Sequence, residues 1–187
     1  MEIACRGCVL RPLRESDAPA LAAHANDRDV WRNLRDAFPH PYALEDAIAY
    51  VAHVRRDPRP IVFGIVVDGE AAGTIGLVPG DDIARATAEI GYWLGRRHWG
   101  RGIATEAVRA VTRHAVATLG LHRVFAVPFV HNAASCRVLE KAGYVREGRM
   151  RRSAVKDGDV LDQWLYASYD DGPLAEGEGA SHHFTTR

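Results

Sequence analysis

The stretch Glu89-Ile90-Gly91-Tyr92-Trp93-Leu94-Gly95-Arg96-Arg97-His98-Trp99-Gly100-Arg101-Gly102-Ile103-Ala104-Thr105-Glu106 decides how the chain is read. Up to Leu94 it reads as a strand, with Glu89, Gly91 and Trp93 on one face and Ile90, Tyr92 and Leu94 on the other. Glycines and arginines then interrupt it, and a long helical run opens near Gly102 and continues to Leu119. A helix N-terminus offers four N–H groups without partners and a partial positive charge. Gly100 and Gly102 let the backbone approach a ligand closely, and Arg96, Arg97 and Arg101 add positive charge. The pattern describes an anion site suited to phosphates. By spacing alone, an ordinary tight turn with solvated arginines fits as well. A triphosphate loop would need Gly-Lys-Ser/Thr where Gly102-Ile103-Ala104 stands. A dinucleotide fingerprint would need a third glycine at Thr105 and a parallel βαβ unit around it.

Upstream of this stretch, Val9-Leu10-Arg11-Pro12-Leu13 reads as the first strand. Ser16 caps a helix through Ala25, with Asp17 in its first turn. Asp27 to Trp31 starts another turn of helix. Phe38 to Tyr42 reads as extended, because Pro39 and Pro41 bar helix there. Leu44 to Val54 is helical, with Leu44, Ile48, Val51 and Val54 on one face. Ile61 to Val67 and Glu70 to Pro79 form a hairpin about Asp68-Gly69. Ala86 to Leu94 is the third strand of this group.

Downstream, Gly120 stops the long helix and Arg123 to Val127 is a strand ended by Pro128. Asn132 caps a helix that ends at Gly143. Tyr144 to Met150 and Val160 to Tyr169 are the last strands, joined through Asp157-Gly158. The strand–long helix–strand unit implies one parallel pair in a mostly antiparallel sheet covered by helices on both faces. The class is mixed α/β (α+β). Residues 1–170 read as one domain, with 171–187 as a flexible tail. Two histidines there, His182 and His183, are read as ordinary tail residues rather than a metal site.

The chain has 187 residues, 24 Lys plus Arg and 24 Asp plus Glu. That balance gives no reason to expect nucleic acid or an anionic membrane as partner. No run approaches the ~20 apolar residues that span a bilayer, and the N-terminus lacks a signal-peptide layout; a cytoplasmic protein is expected. Cys5 and Cys8 form a C-x-x-C pair without the further ligands a zinc site wants. They read as reduced thiols ahead of the first clear strand, and no metal is expected.

Arg97-x-x-Gly100-x-Gly102 resembles the R/Q-x-x-G-x-G/A motif of the GNAT acetyltransferases. Glu89 to Gly95 before it and Ile103 to Ala107 after it fit the same family. Leu119 to Val124, and Asn132-Ala133-Ala134-Ser135-Cys136-Arg137-Val138-Leu139-Glu140-Lys141-Ala142-Gly143-Tyr144, resemble the branch with the ribosomal-protein N-terminal acetyltransferases. The resemblance covers roughly residues 8–170. It implies a three-layer αβα fold whose sheet contains one splayed parallel strand pair.

It also implies acetyl-CoA as co-substrate. Its pyrophosphate would lie on the turn Arg97, His98, Trp99, Gly100, Arg101 and Gly102, with Ile103, Ala104 and Thr105 opening the helix. The pantetheine arm would run along Tyr92, Trp93 and Leu94, with Asn132 as a hydrogen-bond partner. Lys141 is placed either near the coenzyme's 3′-phosphate or in solvent.

Transfer to an amine needs a route for the amine proton, N–H donors for the developing oxyanion and a proton for the departing sulfur. The resemblance implies Glu89 as base, and a backbone N–H near Trp93 or Leu94 as oxyanion donor. The family's tyrosine, seven residues after the asparagine, is replaced by Leu139. Ser135, three residues after Asn132, is the branch's candidate for proton donation or relay. Cys136 is not expected to act as nucleophile, because the family transfers the acyl group directly. Trp31, Arg32, Asn33, Arg35 and Phe38 lie in the segment that walls the acceptor site in this fold, with packing the simpler explanation for the aromatics.

The acceptor is expected to be a primary amine, either small or on a peptide or protein, with a protein N-terminal α-amine leading. Polyamines, amino acids and antibiotics stay open. A weakly active acyl-CoA-binding regulator is the alternative, opposed by the presence of Glu89. A homodimer is suggested by the resemblance alone.

Overall fold

The structure, a computed structural model, describes residues 1–57, 59 and 61–171. The tail expectation, His182 and His183 included, falls almost wholly outside these residues. The elements are β1 (Ile3–Cys5), β2 (Cys8–Arg11), α1 (Ala18–Ala25), α2 (Arg28–Trp31), α3 (Leu44–Arg56), β3 (Ile61–Val67), β4 (Glu70–Pro79), β5 (Thr87–Leu94), α4 (Ile103–Leu119), β6 (Arg123–Ala126), α5 (Ala133–Ala142), β7 (Val145–Lys156) and β8 (Asp159–Tyr169). One eight-stranded sheet runs in the order β1-β2-β3-β4-β5-β6-β8-β7. All neighbours are antiparallel except β5 and β6, which pair in parallel at Thr87–Arg123, Ala88–Val124 and Glu89–Phe125. The mixed α/β class read from the sequence is the observed one.

The two faces of the sheet are covered by different helices. On one side Leu21 and Ala25 of α1 and Ala47 and Val51 of α3 pack with Leu13 and Ala71. On the other, Ile103, Ala107, Val111 and Ala115 of α4 pack on Leu10, Ile65, Leu77 and Ile90. These α4 residues recur every four positions and form one buried stripe. Each fully buried aliphatic side chain contributes roughly 1.5–3 kcal/mol. Gly120 and Gly143 end α4 and α5 in the left-handed conformation.

Four local expectations are corrected. The chain starts with a hairpin, β1–β2, and the C-x-x-C pair spans its turn: Cys5 and Cys8 are register partners around Arg6-Gly7. A three-residue strand carries too little alternation to be seen in sequence. Ser16 does not cap the first helix. Asp17 organises that start instead, accepting hydrogen bonds from Arg14 N and from both terminal nitrogens of Arg11, each at 2.8 Å. In α3 the buried side is Ala47 and Val51, whereas Leu44 and Ile48 are 43% and 53% exposed. Small Ala47 lets α3 sit close to α1, and that contact turns the larger residues outward. Residues Phe38 to Tyr42 are non-helical as expected, but bend at Phe38, His40 and Pro41 rather than running extended.

Candidate active site

The site begins where the parallel pairing ends. Beyond Ala126 the chain stays with β8: Trp164 N donates to Pro128 O, Val130 N donates to Asp162 O, and Gln163 Nε2 donates to Val127 O at 2.7 Å. β5 continues to Leu94 along β4. The two strands therefore diverge after Glu89, and among the described residues the facing edge of β5 beyond it has no strand partner. Gly80 N donates to Thr87 O and Gly95 N to Ala72 O, whereas His122 N donates to Ala86 O across the parallel pair. Odd-numbered residues of β5 thus turn their backbone groups to β4, and even-numbered ones turn theirs to the gap. The N–H groups facing the gap are those of Tyr92 and Leu94. Trp93 N–H, one of the two donors considered from sequence, faces β4.

A cavity of about 300 Å³ opens on one side of this gap. Its wall contains Tyr92, Trp93, Leu94, His98, Trp99, Gly100, Gly102, Ile103, Ala104, Thr105, Asn132 and Ser135, with Lys141 at its edge. The first helical hydrogen bond of α4 runs from Glu106 N to Gly102 O, and among the described residues no side chain caps the helix. The N–H groups of Ile103, Ala104 and Thr105 are free to meet a ligand. Gly100 and Gly102 have φ of 74° and 78°, and a Cβ at either would meet nothing within 4 Å. These features fit a pyrophosphate lying against backbone.

The arginines behave differently from the expectation. Arg97 and Arg101 do not line the cavity. Arg96 pairs with Asp29 at 3.0 Å, Arg97 with Glu70, and Arg101 approaches Asp68 at 3.9 Å. Asp68 and Glu70 flank the β3–β4 turn, which long-range packing brings beside the glycine turn. Positive charge counted in the sequence is thus offset locally, and what the turn presents to the cavity is chiefly backbone. Beneath it lie two buried imidazoles, His24 and His98, with ring centroids 5.3 Å apart. Burial first, and Arg97 second, hold His24 below its ordinary pKa. Burial and then the neighbouring His24 and arginines do the same for His98.

A second cavity, about 750 Å³, lies on the other side of the gap. It is lined by Asn33, Arg35, Phe38, Tyr42, Tyr50, Thr74, Glu89, Gly91 and Trp93 among others. Both cavities share Asn33, Leu34, Tyr92, Trp93, Asn132 and Ser135. Of the five residues expected on an acceptor wall, Asn33, Arg35 and Phe38 line this second cavity. Trp31 and Arg32 line neither cavity. Trp31 donates from Nε1 to Phe38 O at 3.0 Å and carries the Lys156 ammonium 4.0 Å over its ring, which makes it a packing residue. Arg32 reaches Asp29 at 3.9 Å.

Glu89 accepts a hydrogen bond from Arg35 Nη2 at 2.8 Å, and its side chain is 24% exposed. Ser135 Oγ and Tyr92 OH are 2.8 Å apart. Asn132 Oδ1 accepts from Ser135 N at 3.1 Å, which caps α5 and aims Ser135 at the gap. Burial pushes the Tyr92 phenol well above its ordinary pKa, so it stays protonated. Cys136 is buried, and burial raises its thiol pKa as well; it lines neither cavity. The tyrosine hydroxyl next to Ser135 comes from β5, and sequence reasoning assigned Tyr92 to coenzyme binding alone. Tyr50, Thr74 and Gly91 were missed as lining residues. Tyr50 lies on α3 beside the apolar stripe, and Gly91 carries no side chain to draw notice.

An uncapped helix start, a splayed strand pair and two cavities meeting in the splay suit an enzyme that brings two substrates together. Residues 8–145 match the family described as Acetyltransferase (GNAT) domain. The chain belongs to the GNAT N-acetyltransferases. It is 44% identical over 166 residues to a probable N-acetyltransferase, YjcK, of Bacillus subtilis (strain 168), covering 84% of this chain and 91% of that one. It is 26% identical over 167 residues to the ribosomal protein uS5-alanine N-acetyltransferase of Escherichia coli (strain K12), covering 85% and 86%. Among solved structures, Mycobacterium smegmatis RimJ in complex with CoA-disulfide superposes with a TM-score of 0.81 at 26% identity, over 91% of this chain and 87% of that one. Among the described residues no helix is long and apolar enough to cross a membrane.

Proposed function

We propose that the protein transfers an acetyl group from acetyl-CoA directly to a primary amine. The observation that carries this reading is the meeting of the two cavities at Tyr92, Trp93, Asn132 and Ser135. A donor held on the α4 side and an acceptor held on the α3 side would touch there, which is the main requirement of a two-substrate reaction. Bound at the α4 side, the coenzyme supplies the acetyl group as a thioester.

The chain's own groups divide the remaining work. The N–H groups of Gly100 to Thr105 hold the pyrophosphate, and Lys141 is near enough to the same cavity to serve a further phosphate. Glu89 accepts the amine proton, directly or through water. An α-amine has pKa near 8 and a lysine near 10.4, so the base has less to do for an α-amine. Leu94 N–H, aimed into the gap, donates to the oxygen that becomes negative. The Tyr92–Ser135 hydroxyl pair, 2.8 Å apart, delivers a proton to the leaving sulfur. The relationship to a uS5-alanine N-acetyltransferase supports an α-amine on a protein or a smaller molecule as acceptor. A cytoplasmic setting, where thiols stay reduced, suits the free Cys5, Cys8 and Cys136.

The ion pair of Glu89 with Arg35 favours one alternative, an acyl-CoA-binding regulator whose base is occupied. Thiol release from acetyl-CoA over a panel of amines separates the two. In the transferase reading Glu89→Gln lowers kcat by about 10²–10⁴ near neutral pH, and the deficit shrinks as the amine deprotonates. Unchanged turnover of the variant at every pH refutes the role of Glu89. Thermal stabilisation by acetyl-CoA without turnover of any amine favours the regulator.

A further inference from the structure

The second cavity has a pair of opposite charges beside an aromatic cluster on its wall. Arg35 and Glu89 meet at 2.8 Å, with side chains 75% and 24% exposed. With Arg35 largely in solvent the pair contributes little, so a ligand can open it. Next to it the face of β5 presents Glu89, then Gly91, then Trp93. A Cβ at Gly91 would meet nothing within 4 Å, which leaves an open floor between the carboxylate and the indole. Phe38 stacks on Tyr42 at 4.7 Å and meets Trp93 edge-on at 6.0 Å. The other charged lining residue, Asp46, is engaged by Ala43 N at 2.8 Å.

We propose that the preferred acceptor is a free α-amino acid with an apolar or aromatic side chain. Its ammonium meets Glu89, its carboxylate meets Arg35, and its side chain lies over Gly91 towards Phe38, Tyr42 and Trp93. The proposal rests on the acetyl-transfer reading and names its substrate class. A plain amine must compete with Arg35 for Glu89. A zwitterion brings its own anion, so both members of the pair keep an opposite charge. In the reaction the nitrogen loses two protons and gains the acyl carbon, and the C–S bond breaks. One proton reaches the sulfur through the Tyr92–Ser135 hydroxyls and one leaves to water through Glu89. The product is a neutral amide with its carboxylate intact. It has lost the charge that Glu89 held, which favours release.

The test measures thiol release from acetyl-CoA with L-phenylalanine, L-phenylalaninamide, phenethylamine, glycine and a peptide beginning with phenylalanine. The expected kcat/KM for L-phenylalanine exceeds each of the others by at least tenfold, about 1.4 kcal/mol. The amide is the less basic amine, so protonation alone would favour it and cannot produce this order. In Arg35→Gln the acid-to-amide ratio falls towards one, and Arg35→Lys restores part of it. Equal or better use of the amide or the peptide overturns the proposal, as does an unchanged ratio in Arg35→Gln. Acetylation of those amines without preference for the acid leaves the acetyl-transfer reading standing. Failure of every amine overturns both.

Discussion

Gly95 joins β5 to the coenzyme turn, and replacing it by alanine tests how that turn is held. Its φ of −55° and ψ of 137° suit any residue, so backbone strain is not at issue. The constraint is contact. A Cβ at Gly95 would lie 2.1 Å from His24 Nδ1 and 2.7 Å from its Cγ. Ordinary contact starts at 3.4 Å, so the ring or the turn must move by about 3.4 − 2.1 = 1.3 Å. His24 is only 7% exposed, and its Nε2 lies 3.0 Å from Glu70 Oε1. Overpacking of this kind costs about 1–3 kcal/mol, and loss of the His24–Glu70 hydrogen bond adds about 0.5–1.5 kcal/mol. For a chain of this size that is a fall in Tm of roughly 3–18 °C. Gly95 O also accepts from His98 N at 2.9 Å, so moving the turn disturbs the cavity wall at His98. Coenzyme affinity is expected to weaken several-fold in the same variant. Thermal denaturation and calorimetric titration with coenzyme A read both effects. The double variant Gly95→Ala, His24→Ala removes the clashing ring, and its stability should lie within about 1 kcal/mol of His24→Ala alone. A Gly95→Ala protein with unchanged Tm and affinity refutes the reasoning, and so does a double variant whose losses simply add.

Two further predictions follow from hydrogen bonds at 2.8 Å. Tyr92→Phe and Ser135→Ala remove opposite ends of one hydroxyl pair; each should lower kcat, and the double variant should lose little more than the worse single one, whereas additive losses argue against a relay. The Arg11–Asp17 pair ties β2 to the start of α1, with side chains 9% and 6% exposed, and breaking it in Asp17→Ala should cost about 3–5 kcal/mol. Burial would raise the Asp17 pKa, but hydrogen bonds from Arg11 and Arg14 N outweigh it and hold the carboxyl below its ordinary value. A lowered folded pKa gives stability that is full above the unfolded value near 4. It is lost as pH falls through the folded value. Urea denaturation from pH 6 to pH 3 should show wild type losing stability that Asp17→Ala never had, and parallel curves for the two proteins would contradict this.

The sequence by itself determined the features whose causes lie within a few residues. The Asp68-Gly69 and Asp157-Gly158 turns both have positive φ at their two central positions, the hairpin chemistry those dipeptides supply. Gly120 and Gly143 stop their helices, Asn132 caps α5, and the alternation of β5 puts Glu89 and Trp93 on one face and Tyr92 on the other. Beside these local signals, the motif blocks around the glycine turn were enough to reach the family. The β1–β2 hairpin escaped notice because three and four residues hold too little pattern. The buried face of α3 was misjudged because the fit of Ala47 against α1 outweighed the larger apolar residues.

Only the tertiary structure decided which charges and hydroxyls meet. Arg97 reaches Glu70 across 27 positions, Tyr92 reaches Ser135 across 43, and Arg35 reaches Glu89 across 54. No periodicity or capping rule encodes such pairs, because they follow from how the sheet is ordered and which helix covers which face. The glycine turn before α4 is a local object and could be read from Gly100 and Gly102. The second cavity is assembled from α3, β4, β5 and the loop before α3 among others, so its chemistry exists only once those elements pack.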